Sequence, residues 1–513
     1  MSSLPGVKPL MTSDNGTYCA PAVATSGDWL YFINMIPRKT QAFASIMRTR
    51  DPVSGEWQKC GQIRRVKDPA LFFDDDGRAW LYHGLGDPTS VFELNTNSWT
   101  EIPGSEVRLR TKVANAADFA GGYERGRREI FAETDTYGLL DNLKTLPCQE
   151  AAWMTKRAGR YYLQYATPGT VSQWYCDVAL EGPSPTGPFK VVDYSPVSFK
   201  VGGFIGSAGH SCVFQDRAQQ WWRVTTMWIG VHDLFERRIG LFPVRFDSRG
   251  RMSTDTGFGD YPRRIGDGSF AGWMLQSYGA KATASSSLAD RTPELAADEN
   301  VRTWWSAQSG GTNEWLRLDL GKECRINAVQ VNFAEQETRL PATPAVDYHA
   351  YRLLASSDGR SWHLLVDQSD SRAPSPHDYA ELPQPATARF LELRNLHVPC
   401  GGKFAVRDLR VFGHGGGLPP AAVSVVSLER HKDERNATVR WKKVPLAQGY
   451  LVRFGISADA LYQCIQLQGA ETERLTTHVL NRGLNYFWRI DAFNENGFTP
   501  GHLFVPEANE RKN

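Results

Sequence analysis

Along its first half the chain repeats one pattern four times. A run of alternating apolar and polar positions leads into a Gly or Asp turn, and a second run dense in aromatics follows. The copies read CAPAVATSGDWLYFIN (19–34), KDPALFFDDDGRAWLYHG (67–84), EAAWMTKRAGRYYLQYA (150–166) and GHSCVFQDRAQQWWRVTTMW (209–228). Alternation with a period of two around a tight turn predicts a β-hairpin in each. The repeats recur every 50 to 80 residues or so, leaving room for further short strands in each unit. That favours the blades of a β-propeller over an irregular β-sandwich.

The pattern changes near YPRRIGDGSFAGW (261–273), and a Gly run followed by Pro-Pro, GHGGGLPPAA (413–422), reads as a linker. Three segments result: 1–268, 269–414 and 419–510. In the second, WLRLDLG and RFLELRN alternate as half-exposed strands do, and SSDGRSW is an Asp-Gly turn, so a β-sandwich is expected. In the third, ATVRWKKV, QGYLVRFGIS and NYFWRIDAFNENG follow a seven-strand sandwich rhythm. Trp441 and Tyr486 are expected to fill the space between its sheets.

Composition agrees with an all-β reading: 16 Trp, 18 Tyr and 25 Phe are punctuated by 46 Gly and 29 Pro. A formal net charge of +2 implies no broad attraction to nucleic acid or a membrane surface. The eight cysteines form no C-x-x-C pair and no cluster with zinc spacing, so buried free thiols are the default and a long-range disulfide stays open. The N-terminal stretch has no apolar core of a signal peptide, and no apolar run suggests a membrane helix.

In a propeller the first strand of each blade lines the central channel, so residues at the blade starts converge from distant places in sequence. The candidates are Asp68 in KDPAL, Glu150 in CQEAAWM and His210 in AGHSC. Singly, each reads as a turn, edge or satisfied polar residue. Together they stand at equivalent positions of three successive repeats, and two carboxylates with a tuning neighbour are what glycoside hydrolysis needs. Asp74, Asp75 and Asp76 beside Gly77 read instead as a solvated turn.

KDPALFFDDDGRAWLYHG and QEAAWMTKRAGRYYLQYATPGT resemble the third- and fourth-blade motifs of glycoside hydrolase family 43, and GFIGSAGHSCVF with FERRIGLFPVRFD resembles its fifth. The later segments resemble a discoidin (coagulation-factor type C) domain and a fibronectin type III domain. The resemblance implies a five-bladed propeller, of which four blades are recognised. It implies an inverting exo-glycosidase acting on terminal pentose or furanose residues of a poly- or oligosaccharide, of the α-L-arabinofuranosidase, β-xylosidase or β-galactofuranosidase class. By position, Glu150 is the general acid and Asp68 the carboxylate that orients and tunes it. His210 lies where the family holds water or a metal ion, often calcium; no cofactor is required. Arg237 falls near the substrate-binding arginine, with Arg238 beside it. Secretion or a periplasmic location is implied, with neither nucleic acid nor membrane insertion.

Two departures stand out. The first repeat resembles the family's second blade, and about 17 residues precede it, too few for four strands. The blade expected to carry the general base is therefore not found, and Asp14 in SDNG is the sole carboxylate upstream. Ala151 also follows Glu150 where the family has Gly. A truncated product, a carbohydrate-binding protein lacking the base, or a substitute carboxylate each account for this. A structural or adhesion protein is the third class considered, and it leaves Glu150 and Asp68 unexplained. In the second segment Trp304 and Trp305 are read as core before ligand contact, and Asp298 with Asn300 as a loop before a calcium site.

Overall fold

Short aromatic-rich runs separated by tight turns can bury their apolar faces only by stacking sheets, and the computed structural model is built that way. It describes residues 19–35, 43–84, 89–109, 150–167, 169–170, 173–231, 236–339, 347–373 and 375–505. Among these there is no α-helix.

All four hairpins form. Each opens an antiparallel meander of four strands: Cys19–Ser26 to Gln58–Arg64, Ala70–Phe73 to Thr100–Glu101, Glu150–Arg157 to Lys190–Val191, and Gly206–Gln215 to Met252–Thr254; in the second sheet a fifth strand, Val107–Leu109, also pairs with Thr89–Asn95. In the third hairpin Ala158 and Gly159 both have positive φ, +50° and +76°, as the tightest hairpin turn requires. The first strands of successive sheets touch one another, which brings the four sheet starts to one centre.

Those starts share a backbone device. Ala20, Asp68, Ala151 and His210 have φ of +45°, +46°, +59° and +52°. Each stands two residues before a residue paired in its hairpin: Ala22, Ala70, Trp153 and Cys212. In the first, third and fourth sheets the ladder shifts register there, the mark of a β-bulge that re-aims side chains. Left-handed backbone at a non-glycine residue costs about 1–2 kcal/mol, least for Asp and Asn. Its recurrence at four sheet starts therefore marks a constrained site.

The Asp74 reading needs correction. Asp75 and Asp76 are exposed, but Asp74 is buried. It accepts hydrogen bonds from Lys156 Nζ at 2.5 Å and Tyr161 Oη at 2.7 Å, both on the third sheet. Burial opposes its ionisation, but these donors outweigh burial and hold its carboxyl below the usual range. The tip of one hairpin is thus an ionic tie to the next sheet, which turn composition alone does not reveal.

In the second segment Trp315–Phe333 and His377–His397 are long enough to serve both layers of a sandwich. The first pairs with Lys281–Ala284 through its early residues and with Ala405–His414 through its later ones, with bulges between. Trp305, Leu316, Leu318, Ile326 and Leu391 close the core. Trp304 is also buried, its indole donating to Gln336 at 3.0 Å. The third segment has a three-stranded sheet, Val425–Arg430, Ala437–Trp441 and Arg474–Thr477. It faces the four strands Gln463–Gln468, Gly449–Gly455, Phe487–Asn494 and Gly497–Thr499. Trp441 and Tyr486 are buried between them.

The three segments share a core. Phe258 and Tyr261, Phe412, and Phe493 pack in one cluster, so the junction at 261–273 is anchored by aromatics instead of free. Val201–Gly202 adds a parallel strand to the third segment's sheet through Gln463–Gln468. A buried ion network joins the first two segments: Arg410 grips Glu299 at 2.7 and 2.9 Å and donates to the Asp260 carbonyl at 2.7 Å, while Lys200 pairs with Asp260 at 2.7 Å. The six described cysteines are free.

Candidate active site

The converging sheet starts place Asp68, Glu150 and His210 together. One ligand-type atom of each lies within 4.8 Å of the other two, and no other described His, Cys, Asp or Glu residues form such a group. The positions are not strictly equivalent, which corrects the sequence reading. Asp68 and His210 occupy the left-handed residue of the bulge; Glu150 stands one residue earlier, and Ala151 takes that position. The bulge breaks strand alternation, so neighbouring positions can address one space.

Asp68 is buried, and its Oδ2 has no hydrogen-bond partner. The Ala151 N–H, from the residue following Glu150, supports the carboxyl. Burial pushes the Asp68 carboxyl up, His210 pulls it down, and Glu150 pushes it up again. Glu150 is half-buried, and its Oε1 accepts a 2.5 Å hydrogen bond from the Tyr175 hydroxyl. Behind His210 lies a fully buried pair: Arg223 Nη1 meets Asp177 Oδ2 at 2.7 Å, and both bond Ser211, the residue after His210. Burial pushes the Asp177 carboxyl up and Arg223 draws it back. The network also reaches Gln164 and so ties the third sheet to the fourth.

Arg237 and Arg238 are separated by strand alternation. Arg237 is exposed and reaches Thr170 Oγ1 at 3.3 Å, beyond the strand that pairs with Glu150. Arg238 turns the other way, donating to His377 Nε2 of the second segment at 2.6 Å. His377 can accept there only as a neutral ring, and burial first, then the Arg238 charge, lowers its pKa to about 3. Asp14 lies outside the described residues. Ala20 occupies the first sheet's counterpart of Asp68, so that start contributes a methyl group and no carboxylate. Asp298 and Asn300 form a self-bonded loop, with Asp298 accepting from Asn300 N at 3.0 Å and Thr303 Oγ1 at 2.6 Å.

The separation of Asp68 and Glu150 has a chemical consequence. An inverting pair needs about 6.5–9.5 Å between carboxyl groups to admit water. With the two carboxyls this close, the Glu150 charge makes Asp68 harder to ionise. The donor set of two carboxylates and an imidazole also suits a cation in part. Calcium takes six to eight oxygens, so these residues would supply a minority of its shell, and an ion there would hold Glu150 ionised.

Residues 8–247 match the family described as Glycosyl hydrolases family 43, and residues 281–408 match the F5/8 type C domain. The chain thus carries a glycoside hydrolase family 43 domain followed by a discoidin-type domain. Among individual proteins it is similar to "Xylosidase/arabinosidase 43A" of Humicola insolens, 34% identical over 134 residues, 24% of this chain and 40% of that protein. It is also similar to a "Beta-xylosidase" of Xylanibacter ruminicola, 29% identical over 149 residues, 27% of this chain and 41% of that protein. The chain spans about two-fifths of the length of these curated relatives. A solved structure described as "Glycoside hydrolase" is 18% identical with a TM-score of 0.42, covering 77% of this chain and 84% of that one.

Sequence reasoning missed Tyr175, Asp177 and Arg223. A lone Tyr in QWYCDV and an Arg within WWRVTT carry no motif; only the folded contacts assign them.

Proposed function

We propose that this protein is a glycosidase that removes terminal pentose or furanose units from a poly- or oligosaccharide outside the cytoplasm. The observation that carries this is the meeting of Asp68, Glu150 and His210 within 4.8 Å at the starts of three successive sheets. Glu150 serves as general acid and protonates the leaving oxygen. Asp68, buried beside Glu150 and closer than the two carboxyls of an inverting pair stand, orients that acid. Water attacks from the opposite face with inversion, activated by a base not yet assigned. His210 and Arg237 contact the sugar. The names of the relatives point to xylosyl or arabinosyl units, and the reading extends to α-L-arabinofuranosyl, β-xylosyl or β-galactofuranosyl substrates. The third segment, with three strands facing four, is read as a fibronectin type III-like spacer.

Glu150→Gln is expected to abolish hydrolysis of glycosides with poor leaving groups, and unchanged turnover would sink the proposal. NMR of the first-formed anomer tests the stereochemistry: retention would make Asp68 a nucleophile. The second reading, a sugar-binding protein without turnover, is motivated by the lack of an assigned general base at the described sheet starts. Binding by calorimetry with no hydrolysis in the unmodified protein would establish it.

A further inference from the structure

Glu150 is held by a residue from outside the ring of sheet starts. Tyr175 precedes the third strand of its sheet, Cys176–Gly182, and its hydroxyl donates to Glu150 Oε1 at 2.5 Å. The ring is fully buried against Ala151 and Ala166. Its backbone carbonyl accepts from Ala208 N at 2.8 Å, and Gly209 lies flat against the ring. A Cβ on Gly209 would stand 2.7–2.8 Å from three ring carbons, so residue 209 is confined to glycine while the ring stays where it is. The phenol is therefore walled on the side of Glu150's neighbour and on the side of His210's neighbour, with its hydroxyl on Glu150.

That direction has a chemical meaning. A neutral carboxylic acid carries its proton on one oxygen and accepts with the other. With Oε1 occupied by the phenol's donated hydrogen, the proton of the acid form belongs on Oε2. Once that proton has left, the same hydrogen bond steadies the carboxylate. We infer that Tyr175 is the positioning residue of this site: it selects Oε2 as the proton-delivering atom of Glu150 and stabilises the carboxylate left after transfer. This rests on Glu150 being the general acid. The titratable groups beside Glu150 are Asp68 from the second sheet and His210 from the fourth.

Tyr175→Phe keeps the ring against Gly209 and removes the donor. The loss is expected to fall on kcat, with KM nearly unchanged, because the hydrogen bond matters most as the proton leaves. On a substrate with a poor leaving group kcat is expected to fall about 10- to 100-fold, as for loss of one hydrogen bond to a charged group. An activated aryl glycoside, which needs little protonation, is expected to lose far less. Equal losses on both substrates, or a loss confined to KM, would overturn the inference. Glu150→Gln run in parallel separates the two ideas. If it leaves both substrates at full rate, the acid assignment itself fails. If it abolishes turnover of the poor leaving group while Tyr175→Phe matches the unmodified protein on both substrates, only the role of Tyr175 fails.

Discussion

Asp68→Asn should make the protein more stable and less active, for one electrostatic reason. The carboxylate is buried beside Glu150, with an atom of each within 4.8 Å and with one Asp68 oxygen left without a partner. At 4.8 Å two unit charges repel by about 3.5 kcal/mol with an effective dielectric of about 20, and the His210 charge offsets part of that. Asparagine keeps the shape and an acceptor for the Ala151 N–H, and it tolerates the left-handed backbone at +46° as well as aspartate does. The sign follows from the shift. Burial and Glu150 raise the Asp68 carboxyl, so it favours folding while protonated and opposes folding as pH rises and it ionises. Asp68→Asn should therefore gain about 1–3 kcal/mol in urea titrations at pH 8, and clearly less at pH 4. Its charge also bears on Glu150 during proton transfer, so kcat/KM at pH 7.5 should fall about 10- to 100-fold. If stability at pH 8 and kcat/KM are both unchanged, Asp68 and Glu150 do not share a field and the assisting role is wrong.

Three further outcomes follow from the geometry. Asp74→Ala strips the buried partner from Lys156 and Tyr161 and should cost about 2–3 kcal/mol at pH 7 by chemical denaturation; because the Asp74 carboxyl is depressed on folding, its contribution is present above about pH 4 and the difference between the proteins should fade as pH drops below the ordinary Asp value. Ala151→Gly trades a methyl for relief of backbone at +59°, so it should be at least about 1 kcal/mol less destabilising than Ala152→Gly next to it, where φ is not positive; equal melting shifts would contradict the strain. EDTA should leave hydrolysis intact, whereas Zn²⁺ should inhibit more strongly as pH rises, since Asp68, Glu150 and His210 bind it only when deprotonated; loss of activity in EDTA would show that the site needs its cation.

Much of the architecture was legible beforehand because it rests on local patterns. All four hairpins were visible as alternation around turns, and each formed where KDPALFF, EAAWMTK and their counterparts placed it. The two Trp of TWWSAQ went to the core, as large aromatics in sandwiches do. Asp68, Glu150 and His210 could be nominated because the first strand of every blade must face the same centre.

What could not be read were contacts between strands remote in sequence. Asp74 looked like its two neighbours in a turn, and only the approach of Lys156, 82 residues away, made it a buried ion. Arg237 and Arg238 were indistinguishable as letters; the pleat gave one to the rim and the other to His377. Tyr175 had no motif, and its hold on Glu150 exists because two strands of one sheet bring a phenol to a carboxylate across 25 residues. Period and turn chemistry are properties of a few adjacent residues, so they survive in a bare sequence. Distance, burial and the charge they shift belong to residues the chain brings together only on folding, and those decided which carboxylate here is tuned, and by what.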